Sequence, residues 1–105
     1  MKLLEHKHLI IRAEVNNPPR DEVWLQNWLT ELVDKIGMKV CRGPITAYVD
    51  MPGNEGLTGV VVIETSHIAI HVWDAVEPAL VQLDVYTCST LDKDIIFAEL
   101  EQWNP

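Results

Sequence analysis

Two stretches of this chain gather side chains able to do chemistry. In His67-Ile68-Ala69-Ile70-His71-Val72-Trp73, an extended backbone would send Ile68, Ile70 and Val72 to one face and His67, Ala69, His71 and Trp73 to the other. The stretch from Val81 to Cys88 divides the same way, with Val81, Leu83 and Val85 set against Gln82, Asp84, Tyr86 and Cys88. Thr65 and Ser66, two small hydroxyl residues, stand at the junction of two extended runs and read as a tight connection. A sheet face bearing imidazole, indole, carboxylate, phenol and thiol is unusual for a plain solvent side, where Lys, Glu and Thr serve better. This surface is expected to be either a site or a dimer interface.

The spacing argues against a metal. His67 and His71 are four apart, a helical ligand spacing, but on a strand their Cα atoms lie roughly 13 Å apart, too far to share one ion at bonds of ~2 Å. His6 and His8 supply two ligands without a third. Phosphate-cradling glycine loops, Cys-x-x-Cys pairs and Gly-x-Ser-x-Gly elbows are absent from the sequence.

The elements that must position these groups follow from periodicity. His6 to Val15 reads as a strand with Leu9, Ile11, Ala13 and Val15 on one face, ended by Asn16-Asn17-Pro18-Pro19. Asp21 is placed to cap a helix whose Val23, Trp24, Leu25, Trp28, Leu29, Leu32, Val33 and Ile36 recur at helical spacing, with Gly37 as the stop. Trp24 and Trp28, one turn apart, are expected on its packing stripe. Met38 to Val49 is extended and interrupted by Gly43-Pro44, and residues 50–56 form a long turn of the kind that borders sites. Strands then cover Thr58 to Glu64, His67 to Trp73 and Leu80 to Thr87, and a short helix opened by Asp92 carries Ile95, Ile96, Ala98 and Leu100. The order β-α-β-β-β-β-α with hairpin-length links predicts an α+β two-layer sandwich, a mainly antiparallel sheet with two helices on one face.

A chain of 105 residues fits one domain, residues 1–105, with a single core. Sixteen acidic against eight basic residues give a net charge of −8, which repels phosphate backbones and anionic lipid and favours a cationic small molecule. Neither nucleic acid nor membrane is an expected partner. Two cysteines, Cys41 and Cys88, are too few for a disulfide framework, and no apolar leader follows Met1, so a reducing cytoplasm is the expected location.

One run carries a family resemblance. Gly56-Leu57-Thr58-Gly59-Val60-Val61-Val62-Ile63-Glu64-Thr65-Ser66-His67-Ile68-Ala69-Ile70-His71-Val72-Trp73, followed by Leu83-Asp84-Val85-Tyr86-Thr87-Cys88, resembles the core of prokaryotic-type, pyruvoyl-dependent S-adenosylmethionine decarboxylases. Thr58 stands eight before Ser66, His71 five after it and Trp73 seven after it, and the Asp-x-aromatic-Thr-Cys segment ends the next strand. The resemblance implies that the chain cuts itself between Thr65 and Ser66 and converts Ser66 into a pyruvoyl cofactor. His71 and Thr58 match residues that assist this processing, Cys88 matches the acid that returns a proton after decarboxylation, and Trp73 matches a residue lining the S-adenosylmethionine site. It further implies a homodimer in which both protomers contribute to each site, and a product used in polyamine (spermidine) synthesis.

The chain also departs from that pattern. The family cuts between glutamate and serine, whereas here Thr65 precedes Ser66 and the glutamate is Glu64, on the opposite face of a strand. The family's Trp-Pro-Glu reads Trp73-Asp74-Ala75, and Met51 and Tyr48 are the candidates for an aromatic position before the Gly-x-Thr-Gly turn. Taken singly, Ser66 reads as a turn residue, Cys88 as a small buried hydrophobe, Trp73 as an interface anchor and His71 as a hydrogen-bonded strand residue. Their joint spacing favours function. Two readings stay open: a self-processing decarboxylase, and a non-processing homologue acting as a ligand-binding or regulatory partner subunit.

Overall fold

The structure, a computed structural model, describes residues 6–104. Its elements are β1 (Lys7–Val15), α1 (Glu22–Lys35), β2 (Val40–Val49), β3 (Gly56–Ile63), β4 (Ser66–Trp73), β5 (Ala79–Thr87) and α2 (Lys93–Glu101). The expected element order and fold class hold. All four strand pairings are antiparallel and the sheet runs β1-β5-β4-β3-β2.

Alternation decides what each strand buries. Ile11 and Val15 of β1, Val81, Leu83 and Val85 of β5, Ile68, Ile70 and Val72 of β4, and Leu57, Val61 and Ile63 of β3 join one core with Leu25, Trp28, Leu29, Leu32 and Val33 of α1 and Ile96 and Leu100 of α2. Because partners opposite one another in an antiparallel ladder share a face, the pairs Ile11–Leu83 and Ile70–Leu83 carry the apolar stripe across the strands. Each large side chain buried this way contributes about 1.5–3 kcal/mol relative to exposure. Gly59 lets α1 settle onto the sheet, since a Cβ there would lie 2.9 Å from Leu29 Cδ1 and 3.2 Å from Leu25 Cδ2.

The helix signals act as expected. Asp21 Oδ1 accepts from the Val23 and Trp24 amides, Gly37 leaves α1 at φ +76°, and Asp92 accepts from the Asp94 amide at the start of α2. Lys35 Nζ donates to the largely buried Glu99 at 2.8 Å and ties the two helices together. The Glu99 carboxylate raises the Lys35 ammonium above its ordinary value.

Two expectations change. Trp28 is buried against Trp103, but Trp24 is 45% exposed and only leans edge-on against Trp103, because the stripe of α1 is narrower than its apolar residues suggest. The segment through Gly43-Pro44 remains one strand, at the sheet edge. There the ladder shifts register around Arg42 and Ile45, which accommodates a proline that has no N–H to donate.

Candidate active site

The β3–β4 hairpin turns through Glu64 and Thr65, with Ile63 paired to Ser66. Two-residue hairpin loops commonly put positive φ on their central residues. Here it falls instead on Ser66, at φ +147°, the one such non-glycine residue among those described. A Cβ held in this region costs about 1–3 kcal/mol, and the surrounding contacts keep it there. The Thr65 carbonyl accepts from the Cys88 amide at 3.0 Å, the Glu64 amide donates to the Lys39 carbonyl at 3.0 Å, and Thr65 Oγ1 lies 3.4 Å from Met38 Sδ. Ser66 faces Thr87 across the β4–β5 ladder, and Thr87 is fully buried. The peptide between residues 65 and 66 is thus gripped by β5 on one side and by the Met38-Lys39 segment on the other.

A second group lies at the far end of β4. Thr58 and His71 are cross-strand partners, with Oγ1 and Nδ1 3.3 Å apart. The ring of His71 lies 6.0 Å from that of Trp73, and the Trp73 indole N–H donates to Asn54 Oδ1 at 2.7 Å. Gly56 makes this approach possible. A Cβ at Gly56 would sit 1.8 Å from the Val72 carbonyl oxygen, so the 50–56 turn can lie directly against the end of β4.

The expected site residues therefore separate into two groups within one chain. Thr65, Ser66 and Cys88 come together at the hairpin, while Thr58, His71 and Trp73 meet at the other end. Five strand residues put His71 roughly 16 Å from Ser66 along β4, and seven put Trp73 roughly 23 Å away.

Between these ends the two alternating polar stripes form one surface, as expected. His67 stacks on Tyr86 at 5.8 Å, His6 hydrogen-bonds the Tyr86 hydroxyl, and His8 Nε2 lies 2.8 Å and His67 Nε2 3.7 Å from Asp84 Oδ1. No group of three or more His, Cys, Asp or Glu placed to hold a metal ion occurs among the described residues. A row running Ile10, Asp84, Ala69, Val60 and Ile45 crosses the same face. Ile45 is 74% and Ile10 59% exposed.

Other groups at the Trp73 end escape a reading by motif alone. Asp74 is nearly buried, accepting from Tyr48 Oη at 2.9 and 3.0 Å with Arg20 Nε 3.5 Å away. The Asp74 carboxylate, followed by burial, raises the Tyr48 phenol above its ordinary value. Tyr48 and Asp74 are committed to each other, and Met51 is exposed. The sequence marks Asn54 only as part of the 50–56 turn and gives Met38 no signal, since each acts through one contact that only the fold creates.

A helix-backed antiparallel sheet with a strained serine in a gripped hairpin and an aromatic–imidazole face left open defines the class: an α+β protein whose candidate chemistry is spread along one strand. A family model described as S-adenosylmethionine decarboxylase matches residues 7–103. The chain belongs to that family. It is 47% identical over 87 residues to an S-adenosylmethionine decarboxylase proenzyme of Archaeoglobus fulgidus, covering 83% of this chain and 74% of the relative. Shorter matches reach the proenzymes of Thermococcus onnurineus, at 51% over 35 residues (33% of this chain, 23% of the relative), and Persephonella marina, at 47% over 38 residues (36% and 27%). Among the described residues, no helix is long and apolar enough to cross a membrane.

Proposed function

We propose that residues 1–105 act as one S-adenosylmethionine decarboxylase domain that cuts itself at Ser66 and uses the resulting pyruvoyl group. The observation that carries this reading is the backbone at Ser66, held at φ +147° with the preceding carbonyl bonded to the Cys88 amide. Ser66 Oγ attacks the Thr65 carbonyl carbon, and the Cys88 N–H steadies the negative charge that builds on its oxygen. The peptide C–N bond breaks as the ester C–O bond forms, and the hydroxyl proton passes to the freed amine. Loss of the Ser66 Hα then breaks the Cβ–Oγ bond and releases residues 1–65 as a carboxylate. Water replaces the remaining nitrogen as ammonia, leaving a pyruvoyl group on residues 66–105.

Ser66 fits that group, because its strained backbone loses strain when the peptide bond opens. A pyruvoyl group supplies an electrophilic carbonyl that accepts the electron pair released as the substrate carboxylate departs. Cys88 returns a proton to the substrate, Trp73 offers its face to the sulfonium, and the net charge of −8 favours a cationic ligand. The separation along β4 fits a homodimer in which Thr58, His71 and Trp73 of one chain serve Ser66 of its partner, with the exposed Ile10–Ile45 row as part of the contact. The product would enter polyamine (spermidine) synthesis, in the cytoplasm. Thr65 favours the second reading, a non-processing ligand-binding or regulatory subunit, because a β-branched residue with its hydroxyl near Met38 Sδ takes the place of the family's glutamate.

Mixed chains test both readings. Intact mass should reveal fragments 1–65 and 66–105 in the wild type, formed slowly, and none with Ser66→Ala or His71→Ala alone. Co-refolding those two variants should restore cutting of the His71→Ala chain, which retains Ser66 and borrows His71 of the partner subunit. Fragments that never form, even with Thr65→Glu, would leave the non-processing reading standing.

A further inference from the structure

Thr87 is the odd residue in the buried stripe of β5. The strand sends Ala79, Val81, Leu83, Val85 and Thr87 inward, and only the last carries a hydroxyl. Thr87 and Glu99 are the two buried polar or charged residues among those described, and Glu99 is held by Lys35. Valine has the shape and strand preference of threonine without a hydroxyl to desolvate, so packing alone favours valine here.

The hydroxyl is in use. Thr87 Oγ1 accepts from the Ser89 amide at 3.1 Å and closes a short turn over Cys88. Ser89 is exposed, where water can satisfy its amide, so the bond serves something other than the needs of Ser89. Its effect is to hold both peptide units around Cys88. The Cys88 N–H donates to the Thr65 carbonyl at 3.0 Å, and the next N–H along the chain is tied back to Thr87.

Position gives that brace its importance. The bond from Cys88 to Thr65 lies past the last ladder pair, Ser66 with Thr87, and no helix or strand follows β5 until Lys93. Strand ends fray, and an amide stabilises a developing oxyanion only when it is aimed beforehand. Thr87 therefore stands across from the attacking serine and steadies the donor that faces the scissile carbonyl.

We propose that Thr87 is a positioning residue for self-cleavage: by holding the Ser89 amide, its hydroxyl locks the turn at Cys88 and keeps the Cys88 N–H aimed at the Thr65 carbonyl oxygen. This rests on the reading of Ser66 as the residue that attacks that carbonyl.

Two full-length variants separate this role from packing. Thr87→Val keeps the shape and removes the acceptor. Its midpoint of thermal unfolding should stay level or rise, while fragments 1–65 and 66–105 form about tenfold more slowly, a smaller loss than the roughly 100- to 1000-fold of deleting such a donor outright. Thr87→Ser returns the hydroxyl and drops a buried methyl group, so it should recover most of the cutting rate although its midpoint falls by several degrees. A residue that only packs would order the two readouts alike. Cutting by Thr87→Val at the wild-type rate, or slowing of both variants in step with their lost stability, would overturn the assignment. In a Ser66→Ala chain, which cannot cut, adding Thr87→Val should speed hydrogen exchange of the Cys88 amide about tenfold and leave that of Leu83, in mid-strand, unchanged. Unchanged exchange at Cys88 would overturn the role of Thr87 alone. Absence of fragments from every chain that keeps Ser66, Thr65→Glu included, would overturn self-cleavage and this role together.

Discussion

Glycine and alanine at position 66 separate backbone strain from chemistry, because neither can attack the Thr65 carbonyl. At an ordinary strand position Gly is less stable than Ala by about 0.5–1 kcal/mol, since it loses more conformational freedom on folding. At φ +147° the sign should reverse. The alanine Cβ retains a conformational cost of about 1–3 kcal/mol that glycine lacks, so Ser66→Gly should exceed Ser66→Ala by about 0.5–2 kcal/mol. For a chain of 105 residues, about 1 kcal/mol moves the midpoint of thermal unfolding by about 4–8 °C, well within the precision of calorimetry. Urea titrations of the two variants should show equal slopes and a higher midpoint for glycine. A glycine variant less stable than the alanine variant would refute the claim that the hairpin stores strain at Ser66, and the self-cleavage reading would lose its main support.

Leu29→Ala should cost about 2–5 kcal/mol in urea unfolding, since Leu29 is fully buried and packs directly over Gly59 of the sheet. Ultraviolet titration should find Tyr48 ionising above its ordinary value, and Tyr86→Phe leaves its signal alone in the spectrum. The raised folded value means that the Tyr48 contribution to stability is fully present below the unfolded pKa near 10 and is lost as pH rises through the folded one. Lys35 has the same sign from 10.5 upward, so alkaline unfolding should shift to lower pH in Lys35→Met.

Much of this molecule is legible in its sequence, for physical reasons specific to each element. Strict alternation in β4 and β5 identifies both faces, because one face must be dry, and Asp21 and Asp92 mark helix starts because a carboxylate there satisfies free amides. Motif spacing picks out Thr58, Ser66, His71, Trp73 and Cys88 as candidates but not their division between two ends of a strand, which appears once eight consecutive residues are known to be extended. Trp24 misleads because apolar character alone does not state how wide a buried stripe is. Asn54 is marked only as part of the 50–56 turn, and Met38 carries no signal at all. Their roles come from turns that bring distant segments into contact, and no local pattern encodes such a meeting.

The strand order carries a consequence for a chain opened between residues 65 and 66. Residues 66–105 contain β4 and β5, which lie side by side in the middle of the sheet, whereas β1 and the β3–β2 pair that flank them belong to residues 1–65. The shorter piece would be clasped on both edges by the longer one, along β1–β5 and β3–β4, so cutting would not release it. Once denatured, however, the two pieces must find each other by diffusion, and renaturation becomes second order in protein concentration. The uncut chain is the form that can assemble this sheet alone, so folding has to precede the break.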